Sequence, residues 1–556
     1  MYEEFNLPIA YTSKKNELSN TLVDDLELLE TKDPSCSSIY NIVFQPNSIF
    51  GKQILDKWSK YTTTDKQFLK NFKKHIQDIS GETDINTCKK FYDCYNELKK
   101  DDAFKSKYQY LDWDRLDFLN NYETFLQGLS LYNLSAPVFS LILPILSLLI
   151  PFIILKFTKK VVTFALYKGV LKEQFKNHAI AKMFTEFSQV TPSKKIYYVT
   201  ILFIYFLNIY QNALSCYTFY CNFDKIHSTF TKTTDFLVVV KNKLNMLTDT
   251  CKKPTFLKFK EHLLYYKDEI EKYIKRLTYL QPYNIANVFL IGKKMKLFYD
   301  IRYNNYFKKI CNFSFGMVGY LDCIQGVKKH INNKNVYFCN FGNNSHFIKF
   351  YHPSLLKDNP IKNSLQCNKN YLISGPNASG KTTLLKSLCI NQILSQQLFC
   401  GFYKKGKIKM YHHFHVYLNI PDTSGRDSLF QAEARQCKKI LDSILENSKD
   451  NHFCIFDELY SGTNPIEAVG SALAYLKFLN KYKNVNYFLT THFLEICKDL
   501  EKNFENENIS MKSITDEQNI NYTYKIDKSM SNVTCGYKVL KQLNYPEDIL
   551  KNISFN

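Results

Sequence analysis

Glycine and proline are scarce in this sequence, with 17 and 15 residues in a chain of 556. Because the turns of all-β proteins depend on these two residues, their scarcity favours long helices over a turn-rich β-fold. The length allows two to four domains with a sizeable core. The hydrophobic fraction of 45% is ordinary for a globular protein and argues against broad disorder.

The sequence also lacks the usual signs of a cysteine metal site. None of its 16 cysteines forms a C-x-x-C pair, the spacing that zinc sites commonly use. The segment Met1–Leu7 is acidic and polar, unlike a secretory signal peptide. We therefore expect reduced thiols in a cytosolic compartment and no metal-binding cysteines.

Negative charge is in deficit, since 73 lysines and arginines face 52 aspartates and glutamates, for a net charge of +21. Such a charge attracts an anionic partner, which could be DNA, RNA or an acidic lipid surface. A coding bias towards lysine and asparagine, spread over solvated faces, would give the same value. The charge alone therefore does not choose between these explanations.

Charge is absent altogether from Ala136–Leu155, which is almost wholly apolar. A helix of about 20 residues spans about 30 Å, the thickness of the hydrocarbon core of a bilayer. The segment contains three prolines, which membrane helices tolerate better than soluble helices do. A second apolar segment, Ile196–Leu214, is interrupted by polar residues and carries tyrosines suited to a membrane interface. We expect membrane contact through 136–155 and through 196–214, with two buried core helices as the alternative.

A phosphate-loop motif of the form GxxxxGK(S/T) lies within Tyr371–Thr383, which reads YLISGPNASGKTT. A strand-like run precedes it and a helix-like run follows, so backbone N–H groups can surround phosphates at a helix N-terminus. Lys381 would then reach the β and γ phosphates of ATP, and the Thr382 hydroxyl would bind Mg²⁺. The predicted ATP-binding residues are Gly375, Pro376, Asn377, Ala378, Ser379, Gly380, Lys381, Thr382 and Thr383.

Two later segments predict strands that end in catalytic side chains. HFCIFDE ends in Asp457, placed to hold Mg²⁺ through water, and in Glu458, which can polarise the attacking water. YFLTTH ends in His492, which can sense the γ-phosphate or help to position water. Because ligands bind at the carboxyl ends of parallel strands, these residues and the phosphate loop together predict an ATPase.

These motifs resemble those of the MutS family of DNA mismatch repair ATPases, over roughly residues 330–556. The family pattern GPNxxGK(S/T) is matched by GPNASGKT, DExxxGT by DELYSGT and (S/T)TH(F/Y)xEL by TTHFLEI. The family's upstream and closing stretches are more loosely matched by His352-Pro353 with Asn363, and by Cys535–Val539 with Tyr545-Pro546. The resemblance implies ATP and Mg²⁺ as cofactors, double-stranded DNA as a partner, and a homodimer or a heterodimer with another MutS-like chain.

The MutS resemblance extends to a serine loop, GxSxFxxE, whose serine in that family reaches the ATP of the opposite subunit. Here Ser428, Phe430 and Glu433 keep the SxFxxE part, but Asp427 adds one residue before it. Ser428 is thereby implied as a catalytic residue that acts in the site of a second subunit. The alternative is an ordinary polar loop that caps a helix.

One MutS feature has no counterpart in the sequence. Mismatch sensors begin with a domain that inserts a Phe-x-Glu wedge, and no convincing GxFYE-like segment occurs near this N-terminus. The chain is also too short for that domain together with the connector, lever and clamp. Mismatch recognition therefore follows only by analogy.

The predicted fold is multidomain. A C-terminal α/β phosphate-loop ATPase domain of MutS type follows a mostly α-helical, lever-like region, and a hydrophobic helical hairpin, a candidate transmembrane segment, interrupts that region. The predicted domains are a helical lever-like region at 1–135, the hairpin with its basic loop at 136–220, a second lever-like region at 221–330 and the ATPase domain at 331–556.

The predicted function is that of a dimeric, ATP-driven switch that binds DNA and acts as in mismatch repair. The alternative is a membrane-tethered MutS-like ATPase without mismatch recognition, used in membrane anchoring or remodelling. A transporter of the ATP-binding-cassette class is disfavoured because the sequence has no LSGGQ-type signature.

The location of the hairpin poses a conflict of topology. Its connecting loop, 156–195, is rich in lysine, and the positive-inside rule therefore places it in the cytosol. A two-span hairpin would then put the ATPase domain on the side away from cytosolic ATP. Either the loop is translocated despite its charge or the hairpin lies on one membrane face. We expect a membrane-associated protein with its ATPase domain in the cytoplasm or in the compartment that contains the DNA.

Overall fold

The computed structural model describes residues 3–157, 163–176, 191–281, 289–418, 420, 428–502, 506–515, 520–531, 540–541, 543 and 545–551. These residues fall into two compact units. The first comprises Met1–Thr83, Asn242–Lys267 and Cys311–Asn556, and the second comprises Asp84–Lys241 and Asp268–Ile310. The predicted domain boundaries at residues 135, 220 and 330 stay predictions, since the compact units group residues by contact.

The helices are α1 (Asn20–Asp25), α2 (Ile39–Phe44), α3 (Ile49–Gln53), α4 (Leu55–Trp58), α5 (Lys66–Asp78), α6 (Ile85–Lys100), α7 (Phe104–Lys107), α8 (Glu123–Phe157), α9 (Phe164–Lys176), α10 (Pro192–Thr250), α11 (Leu257–Leu280), α12 (Ile291–Tyr303), α13 (Asn305–Asn332), α14 (Lys381–Leu398), α15 (Leu429–Glu446), α16 (Pro465–Leu479), α17 (Leu494–Leu500) and α18 (Glu547–Lys551). The predominance of helix before residue 330 agrees with the helical periodicity of the sequence.

The strands are β1 (Lys15–Glu17), β2 (Tyr61–Thr63), β3 (Tyr337–Phe341), β4 (Ser345–Phe350), β5 (Asn363–Cys367), β6 (Asn370–Ser374), β7 (Cys400–Gly401), β8 (Lys405–Ile408), β9 (His413–Tyr417), β10 (His452–Asp457), β11 (Val485–Thr491), β12 (Asn506–Thr515) and β13 (Ile520–Asp527). All belong to the first unit, where they alternate with helices after residue 337, as expected for an α/β region.

The larger sheet of the first unit has the strand order β13-β12-β6-β11-β10-β9. Neighbouring strands from β12 to β9 are parallel, and β13 is antiparallel to β12. Strands β10 and β11 have apolar and aromatic residues at their centres and are buried on both faces, which is typical of central parallel strands. The register pairs Asp457 with Thr490 and Ser374 with Thr491. The carboxyl ends of β6, β10 and β11 therefore meet at one edge.

A second sheet in this unit has the order β5-β4-β8-β3-β7. Helix α14 is buried from Ser387 to Leu398, including its polar side chains, whereas Thr383 in its first turn is exposed. Those polar groups are satisfied: Gln392 accepts a hydrogen bond from Ser345 of the second sheet (2.8 Å), and Gln396 donates to the Tyr411 carbonyl (2.8 Å). Because buried amides are costly without partners, these bonds set the position of α14 and hence of the loop before it.

The N-terminal residues pack inside the same unit. Tyr40 donates a hydrogen bond to Gln397 of α14 (3.1 Å), and Lys386 of α14 forms an ion pair with Glu27 (2.9 Å). These contacts join residues more than 350 positions apart in the sequence. The N-terminal segment is therefore part of the packing around the helix that follows the phosphate loop.

The second unit is helical in its described residues. Its core includes the stacked rings of Phe91 and Phe236, whose centroids lie 4.5 Å apart, and a hydrogen bond from Tyr110 to the Met295 carbonyl (2.7 Å). Gly292 of α12 lets that helix approach α8, since a Cβ there would lie 2.3 Å from the Glu123 carbonyl. This packing covers the first turns of α8.

Both apolar segments of the sequence are helical, within α8 and α10. The Tyr205 hydroxyl of α10 donates to the Ser140 carbonyl of α8 (3.3 Å), so the two helices are in contact. Among the described residues, one helix is long and apolar enough to cross a membrane, Lys195–Thr250, and none of its apolar window is buried. Phe203 is 65% exposed and Phe157 is 85% exposed. For these side chains, the alternative of buried core helices is wrong.

Candidate functional site

The phosphate-loop motif joins β6, which ends at Ser374, to α14, which begins at Lys381. Gly380 has a φ of 92°, in the left-handed region that side chains with a Cβ disfavour. A Cβ at this position would also lie 3.1 Å from the Tyr524 ring. The second glycine of the motif is thus required both by the backbone turn and by its neighbour.

The Lys381 ammonium group turns back onto the loop. Its Nζ donates hydrogen bonds to the carbonyls of Gly375 (2.9 Å) and Pro376 (3.2 Å), and lies 3.5 Å from Asn377 Oδ1. Burial lowers the pKa of Lys381, because the charged form loses hydration. A buried ammonium group with three donors and neutral acceptors is well placed to bind an anion entering the loop.

Thr382 and Asp457 meet at the carboxyl edge of the larger sheet. The Thr382 hydroxyl donates a hydrogen bond to Asp457 Oδ2 (2.8 Å), and the Thr490 hydroxyl donates to the other carboxylate oxygen. A hydroxyl and a carboxylate side by side are oxygen ligands of the kind that Mg²⁺ prefers. The structure thus brings together the two residues that the sequence predicts for the metal. These residues fit Mg²⁺ by the chemistry of their oxygens.

Glu458 follows with a φ of 52°, an uncommon conformation for a residue other than glycine. Its backbone N–H donates to the Thr490 carbonyl (3.1 Å), which holds the turn against β11. The Glu458 carboxylate lies 3.5 Å from His492 Nδ1 and 4.0 Å from Lys381 Nζ. The hydrogen bond with His492 lowers the pKa of Glu458, and the nearby charge of Lys381 adds to this shift. Strained backbone of this kind clusters at functional sites.

A cavity of about 880 Å³ opens in front of these groups. Eight of the predicted site residues line it: Asn377, Ala378, Gly380, Lys381, Thr382, Thr383, Asp457 and Glu458. His352 lines it too, and its buried Nε2 has no hydrogen-bond partner among the described residues. Burial lowers the pKa of His352 to about 4, so this imidazole is neutral near pH 7. The volume lies in the range of small-molecule sites and accommodates a nucleotide.

Ser428 lies elsewhere in the first unit and does not line this cavity. Its hydroxyl accepts a hydrogen bond from Gln431 N (3.3 Å), and its N–H donates to Gln431 Oε1 (3.1 Å), which makes a capping box at the start of α15. Within one chain Ser428 therefore caps a helix. Its action in a second subunit stays a prediction. The preceding residues 421–427 lie outside the described residues, as does the closing stretch Cys535–Val539.

The structure adds residues that the sequence analysis did not assign. Glu433 is 3% exposed and accepts hydrogen bonds from Ser461 Oγ (3.0 Å) and Gly462 N (3.1 Å), so it ties α15 to the segment after Glu458. Thr490 holds Asp457, as described above. Both residues occur in the recognised motifs, SxFxxE and TTH, but their roles depend on the pairing of distant segments.

Asn363, part of the upstream match, also has a defined role. Its side chain donates to the Tyr524 carbonyl (2.9 Å) and accepts from Ile526 N (3.0 Å). It thereby binds β13 to the wall of the cavity, where Asn363 and Tyr524 are both lining residues. Nothing local in the sequence indicates this contact, which spans more than 160 residues.

The C-terminal part of the chain is also similar to known proteins. Residues 371–554 match the family described as MutS domain V. The chain is 30% identical over 243 residues to the endonuclease MutS2 of Streptococcus uberis, a match that covers 42% of this chain and 30% of that protein. It is 28% identical over 211 residues to the DNA mismatch repair protein MutS of Persephonella marina, covering 36% of this chain and 23% of that protein.

These matches span less than a third of each relative's length. The fold is a mixed α/β multidomain chain with a helical region and this C-terminal domain. Residues 371–554 thus match MutS domain V, and the chain is similar over part of its length to MutS2 and MutS proteins.

Proposed function

We propose that this protein binds and hydrolyses ATP with Mg²⁺ and acts as a DNA-binding, dimeric switch. The observation that carries the proposal is the hydrogen bond between Thr382 and Asp457 in the cavity that Lys381 and Glu458 also line. The cavity thus brings together a lysine that can bind phosphates, two oxygen ligands for a metal and a carboxylate that can orient water. This combination is what phosphoryl transfer to water requires.

Each side chain has a separate task in this proposal. Lys381 exchanges its loop carbonyl partners for phosphate oxygens, while Thr382 and Asp457 hold the metal. Glu458, ionised because of its neighbours, orients and polarises water, and His492 keeps Glu458 in place and monitors the γ-phosphate. Bound ATP with Mg²⁺ would supply the phosphoryl group and neutralise charge that develops on it.

The partner in this proposal is double-stranded DNA. The names of the two relatives, an endonuclease and a mismatch repair protein, suggest a DNA-directed activity, and the net charge of +21 suits a polyanion. Dimerisation, as a homodimer or with another MutS-like chain, would bring Ser428 of one subunit to the nucleotide of the other. Hydrolysis would then switch the helical region between two arrangements.

The test is the ATPase activity of the full chain without DNA, with matched duplex and with mismatched duplex, at several salt concentrations. We expect duplex DNA to change the rate of ATP hydrolysis at low salt. This effect of DNA should disappear at high salt, because phosphate contacts weaken steeply with salt. Lys381→Ala should abolish nucleotide binding, whereas Glu458→Gln should keep binding and lose hydrolysis. Unchanged ATP affinity in Lys381→Ala would refute the assignment of the site.

A second proposal concerns the hairpin of α8 and α10, which we infer inserts into a membrane. The exposed apolar side chains of both helices favour this function, since soluble surfaces rarely present such a large apolar area. The apolar part of α8 matches the thickness of a bilayer core. Exposed Lys156 at its end would lie among lipid headgroups. The protein would then be membrane-associated, with its ATPase domain in the cytoplasm or in the compartment that contains the DNA.

Flotation of the full chain with vesicles of phosphatidylcholine and phosphatidylserine tests this second proposal. Phe203→Asp combined with Phe206→Asp should abolish flotation, because aspartate in a bilayer core costs about 2.5–3.5 kcal/mol per residue. Leu257→Asp is the matched control, since this exposed leucine lies outside the hairpin. If the double variant floats like the parent protein, the hairpin does not insert. Stimulation of the ATPase activity by vesicles but not by DNA would favour a function in membrane anchoring or remodelling over one in DNA repair.

A further inference from the structure

A second cavity of the first unit, about 270 Å³ in volume, has a strongly basic wall. Four lysines line it and no acidic residue does. They come from the end of α13, from β4, from the residue before β5 and from the residue before β8. We call this cavity the lysine pocket, and its lysines are Lys334, Lys349, Lys362 and Lys404.

The four lysines lack ion-pair partners among the residues that the structure describes. In the part of the chain that the structure describes, none of the four forms an ion pair, although many lysines elsewhere do. Lys362 lies 5.1 Å from the centroid of the Tyr351 ring, which offers only a weak cation–π contact. Four like charges around one small space repel one another. An anion in the pocket would remove this repulsion.

The backbone departs from regular structure to place two of these lysines. Lys349 has a φ of 57° and lies where the pairing of β4 with β5 shifts register, between Phe347 and Phe350. Its N–H donates to Ser364 Oγ (3.0 Å). Lys334 has a φ of 59° just after the end of α13, where Asn335 N donates to the His330 carbonyl (3.0 Å), as at an ordinary helix C-terminus. Bulges that redirect side chains, such as the one at Lys349, are typical of functional sites. This is a second observation, independent of the charge.

Tyrosines form the remainder of the pocket wall. Tyr351 is 6% exposed, and its hydroxyl donates to the Asn335 carbonyl (3.0 Å), which fixes its ring. Tyr403 is buried, and Tyr337 is half-buried. Aromatic faces beside lysines suit a ligand that combines phosphate groups with a flat ring. Tyr351 also lines the cavity of about 880 Å³ in front of the phosphate loop, so one residue contributes to both cavities.

We propose that the lysine pocket binds the polyphosphate group of a small molecule, at a site separate from the phosphate loop. Several negative charges in a compact group can be approached by lysines from several sides at once, and here four exposed lysines line one small pocket. The backbone of a DNA duplex instead presents its phosphates along an extended surface, and a 270 Å³ pocket fits it poorly. The polyphosphate group can come from inorganic polyphosphate or from a free nucleotide.

The experiment is calorimetric titration of the full-length Lys381→Ala variant with sodium tripolyphosphate, so that the phosphate loop does not take up the probe. We expect one bound tripolyphosphate. Lys334→Asn and Lys349→Asn remove charge without disturbing the backbone, because asparagine tolerates the left-handed conformation. Each should weaken binding by about tenfold, as loss of one charged hydrogen bond would.

Lys404→Gln and Lys407→Gln form a matched pair, since both lysines are exposed and near β8 but only Lys404 lines the pocket. The first should weaken binding of tripolyphosphate and the second should not.

The number of sites in the wild-type protein is an independent test. We expect two tripolyphosphate sites in the wild type and one in the Lys334→Asn, Lys349→Asn double variant. Tighter binding of ATP than of tripolyphosphate in the Lys381→Ala background would identify a nucleotide as the source, and the reverse would identify inorganic polyphosphate.

Three results would overturn the proposal. The first is that Lys381→Ala does not bind tripolyphosphate and the wild type has a single site. The second is that Lys404→Gln and Lys407→Gln lose equal amounts of tripolyphosphate affinity. The third is that duplex DNA is the only anion whose binding depends on the four lysines. None of these results bears on hydrolysis at the phosphate loop. A failure here is therefore distinguishable from a failure of the ATPase proposal.

Discussion

Thr382 and Asp457, which are 75 positions apart, are joined by a hydrogen bond of 2.8 Å between hydroxyl and carboxylate. The other carboxylate oxygen accepts from Thr490, so both oxygens of Asp457 are held. Two hydroxyl donors orient the carboxylate beside the first turn of α14. The metal ligands are therefore preorganised by the protein itself.

Asp457→Asn should lower Mg²⁺-dependent ATP hydrolysis by about 100-fold or more, a typical loss for one preorganised electrostatic partner. The amide can still accept the Thr382 hydrogen bond, so the fold should be kept, but it lacks the charge that holds the metal. The measurement is a Mg²⁺ titration of ATPase activity. Asp450→Asn, just before the opposite end of β10, serves as the control and should leave the Mg²⁺ dependence unchanged.

His492→Asn should move the acid limb of the ATPase pH profile to higher pH. The hydrogen bond with His492 lowers the pKa of Glu458, so Glu458 stays ionised below the usual range for a glutamate. Without the imidazole its pKa rises, and protonation inactivates it at a higher pH. A profile of kcat against pH measures the shift, and an unmoved limb would show that Glu458 is not the titrating base.

The same pair gives a prediction for stability. A glutamate with a lowered folded-state pKa stabilises the protein above its unfolded pKa, and this stabilisation is lost as pH falls through the folded value. His492→Asn should thus be less stable than the parent at neutral pH, with the difference vanishing in acid. Urea unfolding at neutral pH and at a pH below the folded-state pKa of Glu458 checks this, with His346→Gln on β4 as a control.

Glu433→Gln should destabilise the first unit by about 1–3 kcal/mol, the cost of leaving a buried polar group unsatisfied. The carboxylate accepts from both Ser461 and Gly462, whereas an amide has only one accepting oxygen. Denaturant unfolding measures the loss. Glu446→Gln, at the exposed end of α15, should change stability little; an equal loss there would remove the explanation.

Two substitutions of Ser428 separate helix capping from action in a second subunit. Ser428→Ala should cost about 1 kcal/mol of stability through the lost cap, while Ser428→Asp keeps an N-cap acceptor. If the hydroxyl acts on the nucleotide of the partner, both variants should lower the ATPase activity of the dimer. Full activity in Ser428→Asp would assign the residue to capping alone.

Helical segments and the phosphate loop could be predicted from the sequence because their signals are local. The GPNASGKT motif places its glycines and Lys381 within eight residues, so strand, loop and helix follow from adjacent residues. The buried runs before Asp457 and His492 likewise indicated strands that end in polar groups. The apolar stretches within α8 and α10 were helical as expected, but only the structure shows that their described side chains are mostly exposed.

The sequence by itself determined which chemical groups this protein carries near its phosphate loop, and in what order. Only the tertiary structure decided that Thr490 holds Asp457, that Glu433 supports Gly462, and that Tyr351 lines two cavities. The strand order β6-β11-β10 and its register create the first of these contacts. Strand order and register depend on how distant segments pack, and a one-residue slip reverses every side chain. Local patterns therefore predicted the motifs, and long-range packing decided which of their atoms meet.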